Sequence, residues 1–89
     1  MTLSFPNQSR SFDANRNRVR FWGYDRAFEI SFFVDAGALQ KICPDMNVAE
    51  AGILKAFDAL RDRIHEVAGK VYMRGHRGTF ACNLAAADF

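Results

Sequence analysis

The chain has 89 residues, a length that suits one compact domain over residues 1-89 and excludes a multi-domain assembly. It is 49% hydrophobic and 25% charged, with nine Phe and one Trp, which excludes a disordered chain. Net charge is only +2 and the pI is near 8.8, so any case for nucleic acid must rest on where the charges sit.

A domain of this size buries ~60–65% of its unfolded surface, enough for one modest core. The two cysteines, Cys43 and Cys82, are far apart, and no Cys/His pair has metal-ligand spacing, so no metal and no cofactor is expected. Met1 to Pro6 lacks the basic region and apolar run of a signal peptide. No apolar stretch approaches the ~20 residues that span a bilayer. These features predict a cytoplasmic protein with reduced thiols and no membrane partner.

In chain order, Thr2 to Phe5 reads as a short edge strand. Pro6 lacks an N–H and ends its pairing. Ser11 to Asp13 reads as a second short strand, with a turn over Ala14 to Asn17. Arg18 to Gly23 and Phe28 to Val34 both alternate. A turn over Tyr24 to Ala27 pairs Gly23 with Phe28, Phe21 with Ile30 and Val19 with Phe32. One hairpin face is then apolar. The other carries Arg18, Arg20, Trp22 and Tyr24, opposite Phe33, Ser31 and Glu29.

Asp35 is placed to cap a short helix running to Ile42, with Leu39 and Ile42 as its buried pair and Pro44 ending it. Asn47 to Arg74 reads as one long helix. Ile53, Phe57, Leu60, Ile64, Val67 and Val71 recur at steps of four and three, which makes a single apolar stripe. Asn47 and Glu50 form a partial capping box. A straight helix to Arg74 would span ~40 Å. A compact domain of this length is only roughly 30 Å across, so the helix must project, kink near Gly69 or pack on a partner. A loop over Gly75 to Gly78 leads into a strand, Thr79 to Leu84, with Phe80, Cys82 and Leu84 inward. Ala85 to Phe89 is a tail.

The expected fold is α+β in two layers. A small antiparallel sheet of three to four strands, in the order strand, strand, strand, helix, helix, strand, packs on one long and one short helix.

Several short patches carry a family resemblance. They are Ser4-Phe5-Pro6, Ser11-Phe12-Asp13, Val19-Arg20-Phe21-Trp22-Gly23, Phe28-Glu29-Ile30-Ser31-Phe32, Arg77-Gly78 and Ala86-Ala87-Asp88-Phe89. Together they span nearly the whole chain. The chain resembles the small bacterial proteins grouped as domain-of-unknown-function family 1488. The resemblance implies a compact α+β domain of bacterial origin. It implies no reaction, ligand or catalytic residue.

The residues themselves nominate two surfaces. Arg18, Arg20, Trp22 and Tyr24, with Arg16 and Arg26 nearby, interleave guanidinium groups and aromatic rings. That mixture suits a protein interface, and it also suits nucleic acid, where arginine meets phosphate and rings stack on bases. Acidic residues dilute the patch, which favours a protein partner or a second copy over nucleic acid. The plain alternative is that Trp22 is covered and the arginines are solvated. The second surface is the basic loop of Arg74, His76 and Arg77. It follows a helix and enters a strand, the reverse of a phosphate loop, so it reads as a C-cap and connector.

Catalysis finds little support. Cys43 has no neighbouring His, and Cys82 points inward. His65 sits on a charged helix face and reads as solvated. Asp58, Asp62 and Glu66 form a like-charged row on one helix and cannot converge on a metal. The leading expectation is a non-enzymatic protein-interaction or adaptor domain. A nucleic-acid-binding module and a small-ligand domain with its site between sheet and helix are the alternatives.

Overall fold

In the computed structural model, which describes residues 3–6, 8–76 and 80–89, the alternating stretches form one five-stranded sheet. Its strands are β1 (Leu3–Ser4), β2 (Arg10–Asp13), β3 (Arg18–Asp25), β4 (Phe28–Asp35) and β5 (Ala81–Leu84). The helices are α1 (Ala36–Ile42), α2 (Glu50–Ala59) and α3 (Arg61–Val71). The fold class is α+β.

The β3–β4 hairpin is the spine of the sheet. Its register pairs Asp25 with Phe28, Gly23 with Ile30, Phe21 with Phe32 and Val19 with Val34. The turn is therefore Arg26-Ala27, shorter than the expected four-residue loop, with Arg26 in the left-handed region at φ 58°. Tight hairpin turns match the twist of the flanking strands and add ladder bonds. The slip from the expected register is an even number of residues, so no side chain changes face. Val19, Phe21, Ile30, Phe32 and Val34 are all buried.

The sheet is mixed, which corrects the all-antiparallel expectation. β1 and β2 both run antiparallel along one edge of β3, while β5 lies parallel to β4 on the far edge. The connection from β4 to β5 passes through all three helices. A crossover of that length can return a strand in parallel, whereas a tight turn cannot.

The short helix forms as the sequence predicts. Asp35 caps α1 by accepting the Ala38 N–H at 2.7 Å; of the expected buried pair Leu39 is fully buried, while Ile42 is only partly buried. The long helix does not form as one rod. It is broken at Leu60, where φ is −110° and ψ 16°. No Pro or Gly stands there, and Leu is a good helix former, so the break has no local signal. Size supplies a reason: the molecule's longest extent is 35 Å, shorter than a straight helix to Arg74.

The helical stretch begins at Glu50, with Ala49 at the cap position. Asn47 does not form the expected capping box; its Oδ1 accepts the Ala49 N–H instead. Gly69 does not end the helix but is buried within it. α3 runs to Val71 and continues as a π-helical turn, Tyr72–His76.

All three helices contribute to one core with the inward face of the sheet. Phe21 sits near its centre, 5.2 Å from Phe57 and 5.4 Å from Phe32 between ring centroids. Fully burying each such side chain contributes roughly 1.5–3 kcal/mol. Among the described residues the core buries no polar or charged residue. The tail is a 3-10 turn, Ala86–Asp88, tied down by Lys41, whose Nζ donates to the carbonyls of Ala86 and Phe89. Among the described residues no helix is long and apolar enough to cross a membrane.

Candidate interaction face

Because the helices pack on one side of the sheet, the opposite side is left as a surface. Cross-strand pairing sets Arg18, Arg20, Trp22 and Tyr24 of β3 beside Asp35, Phe33, Ser31 and Glu29 of β4. Asp13 and Ser11 extend this face on β2, and Asn83 and Ala81 extend it on β5. Trp22 and Phe33 are half-buried and belong to no part of the core.

The arginines are held in place by the aromatics and by polar neighbours. The Arg18 guanidinium carbon lies over the Phe33 ring, 3.7 Å from its centroid. Its Nε donates to Asp13 at 3.1 Å and its Nη1 to Asn83 at 3.3 Å. Arg20 reaches Trp22 at 5.1 Å and Phe33 at 6.0 Å, and its Nη2 donates to the Ser31 hydroxyl at 2.9 Å. Stacking of this kind is worth ~0.5–1 kcal/mol at exposed sites. It also cuts the rotamer freedom that a free arginine would lose on binding. The Tyr24 hydroxyl donates to Glu29 at 2.8 Å, and that bond raises the phenol pKa above its ordinary value.

At the Arg18 end the face opens into a hollow of about 250 Å³. Its walls include Arg16, Arg18, Asp35 and Asn83, with Phe33 alongside. The structure thus brings together the four hairpin residues nominated by the sequence, Arg18, Arg20, Trp22 and Tyr24. It does not add Arg74 to them: that residue is exposed in the π-helical turn after α3 and, among the described residues, makes no hydrogen bond or ion pair with these four. Arg77 lies outside the described residues.

A model of the family described as "Protein of unknown function (DUF1488)" matches residues 3–81 of the chain. The chain belongs to the DUF1488 family. A solved DUF1488 structure from Shewanella loihica PV-4, itself described as of unknown function, has the same fold at a TM-score of 0.80. It is 15% identical, and the alignment covers 93% of this chain and 91% of that one. No curated protein matches. The DUF1488 match spans β1 to β4, the helices and the start of β5, while Asn83 of the hollow lies beyond it.

Three features of this DUF1488 chain depart from the sequence reading. His65 is not simply solvated. Phe5 folds over α3 and stacks on it, centroids 4.0 Å apart and planes 7° from parallel. Burial, helped by the Arg61 charge and opposed by Asp62, lowers the His65 pKa. Phe80 is 66% exposed rather than buried, and it meets Phe28, 62% exposed, edge to face at the hairpin end. Asp58 is relieved not only by Arg61 of its own helical stretch, as the spacing allows, but also by Arg10 of β2, which lies 48 residues away.

Cys82 is buried, and desolvation, with Asp88 adding to it, pushes its thiol up to about 11. A thiol so held is a packing group rather than a nucleophile.

Proposed function

We propose that this DUF1488 chain is a non-enzymatic interaction domain that binds a protein partner through the outer face of its sheet. One observation carries the reading: the helices cover one face, while the other presents Trp22, Phe33, Arg18 and Arg20 as a stacked cluster outside the core. Trp, Tyr and Arg dominate the binding energy of protein interfaces. Pre-stacked side chains lose less entropy on docking than free ones. The carboxylates of Asp13 and Glu29 on the same face weigh against a nucleic-acid backbone as the partner.

The test is affinity capture of the tagged chain from its own cells, comparing wild type with the double variant Trp22→Ala, Arg20→Ala. The double variant should remain folded by circular dichroism and lose the partner. Retention of every partner by the folded double variant overturns the reading. Capture of an oligonucleotide in place of a protein, with affinity falling steeply between low and moderate salt, would reassign the face to nucleic acid.

A further inference from the structure

The hollow at the Arg18 end of the sheet is chemically distinct from the Trp22 region. Arg16 is exposed and makes no hydrogen bond or ion pair among the described residues. Arg18 is the opposite: its side chain is only 18% exposed and is fixed from three directions by Asp13, Asn83 and Phe33. Those contacts engage Nε and Nη1, and among the described residues the Nη2 edge has no partner. The Asn83 oxygen accepts from Arg18, and among the described residues its amide nitrogen has no acceptor, which leaves it a donor at the same wall. One pre-oriented guanidinium, one free guanidinium and one amide therefore converge on an open hollow.

The charges limit what could fill it. Arg16 and Arg18 are offset by Asp35 in the wall and by Asp13 behind Arg18. Asp35 uses one oxygen to cap α1, so its second oxygen remains as an acceptor at the hollow. Two cations against two carboxylates leave the site neutral, so a dianion would add twice the uncompensated negative charge that a single carboxylate adds. A single carboxylate suits the planar fork of arginine, and an N–H donor beside that carboxylate would suit Asp35.

We propose that this hollow is a recognition site for one carboxylate, seated between Arg16 and the Nη2 edge of Arg18 with Asn83 donating to it. The carboxylate can come from a small free acid or from the C-terminus of a peptide. The site shares Arg18 and Phe33 with the proposed interface, but neither Trp22 nor Arg20 lines it, so variants at those two residues test the interface without touching the hollow.

The experiment is a titration of isotope-labelled protein, following the Arg18 Nε–H and Asn83 side-chain amide signals. Sodium acetate is compared with sodium chloride at equal ionic strength, with N-acetylglycine, its amide, and inorganic phosphate as further probes. Acetate and N-acetylglycine should give saturable shifts with Kd on the order of millimolar, as suits so few contacting atoms. The amide should give none, and phosphate should bind more weakly than acetate. N-acetylglycine binding tenfold more tightly than acetate identifies a chain terminus as the source. Equal binding identifies a small acid.

Arg16→Ala and Arg18→Lys should each weaken acetate about tenfold with the fold retained, and Trp22→Ala should leave it unchanged. Shifts reproduced by chloride, tighter binding of phosphate, or unaltered affinity in both arginine variants would overturn the assignment.

Discussion

Arg10 and Asp58 stand 48 residues apart and meet in a two-pronged ion pair, Nε to Oδ1 at 2.9 Å and Nη2 to Oδ2 at 2.8 Å. The pair ties β2, at one edge of the sheet, to the end of α2. Arg61 adds a third bond to the same carboxylate at 2.9 Å, just past the break at Leu60. Three bonds from cations hold the Asp58 carboxyl below its ordinary value, the bond from Arg10 most of all.

The folded-state pKa of Asp58 is lowered, so its contribution is full above the unfolded value near 3.8 and is lost as pH falls through the folded value. Asp58→Asn should cost less than about 1 kcal/mol at pH 7, because the carboxylate is largely solvent-exposed. Urea melts of both proteins should differ at pH 7 and converge in strong acid.

Gly23 should resist substitution. A methyl group there would lie 2.8 Å from Phe5 Cε1 and 2.9 Å from Phe32 Cε2. Phe32 is locked in the core, so Phe5 must move. Gly23→Ala should destabilise by about 1–3 kcal/mol by overpacking. It should also lift Phe5 off His65, seen as a rise of the His65 pKa toward its ordinary value by NMR titration.

His65 makes the fold sensitive to mild acid. Its folded pKa is lowered below 6.5, chiefly by burial. The folded state therefore binds the proton less readily than the unfolded chain. Stability should fall as pH drops through about 6.5 toward the folded value, and then level off. His65→Gln should flatten that part of the stability profile between pH 7.5 and 5.

The Tyr72 hydroxyl donates to Asp25 at 2.7 Å, fastening the end of α3 to the hairpin turn. The Tyr72 ring is otherwise a core group, edge-on to Phe32 at 6.3 Å. Tyr72→Phe keeps the ring and removes the bond, so the loss should be about 1–2 kcal/mol. For a domain of this size that is a fall in Tm of roughly 5–15 °C, readable by calorimetry.

Trp22 and Phe57 should separate surface from core. Phe57→Ala empties a fully buried position and should cost about 3–5 kcal/mol. Trp22→Ala removes a larger side chain from outside the core and should cost less than about 1.5 kcal/mol. A Trp22 cost equal to that of Phe57 would mean the outer face is structural rather than an interaction surface.

Elements whose cause is local were legible in the order of the amino acids. Strict alternation placed Val19, Phe21, Ile30, Phe32 and Val34 on one face of β3 and β4, and Arg18, Arg20, Trp22 and Tyr24 on the other. The 3.6-residue stripe placed Ile53, Phe57, Ile64 and Val71 in the core, and the Asp35 cap set the start of α1. These patterns survive an error in turn length because a shift by an even number of residues leaves each face intact. The remaining features depend on residues distant in the chain. A helical crossover set β5 parallel to β4, and the overall dimensions of the molecule accompany a break at Leu60 that no residue there announces. Phe5 buried His65, Arg10 claimed Asp58, and Asn83 came to Arg18 across the sheet. Periodicity reports which way a side chain faces relative to its own backbone. It carries no record of which other segment arrives there, and that arrival sets the pKa of His65, the ion pair of Asp58 and the walls of the hollow.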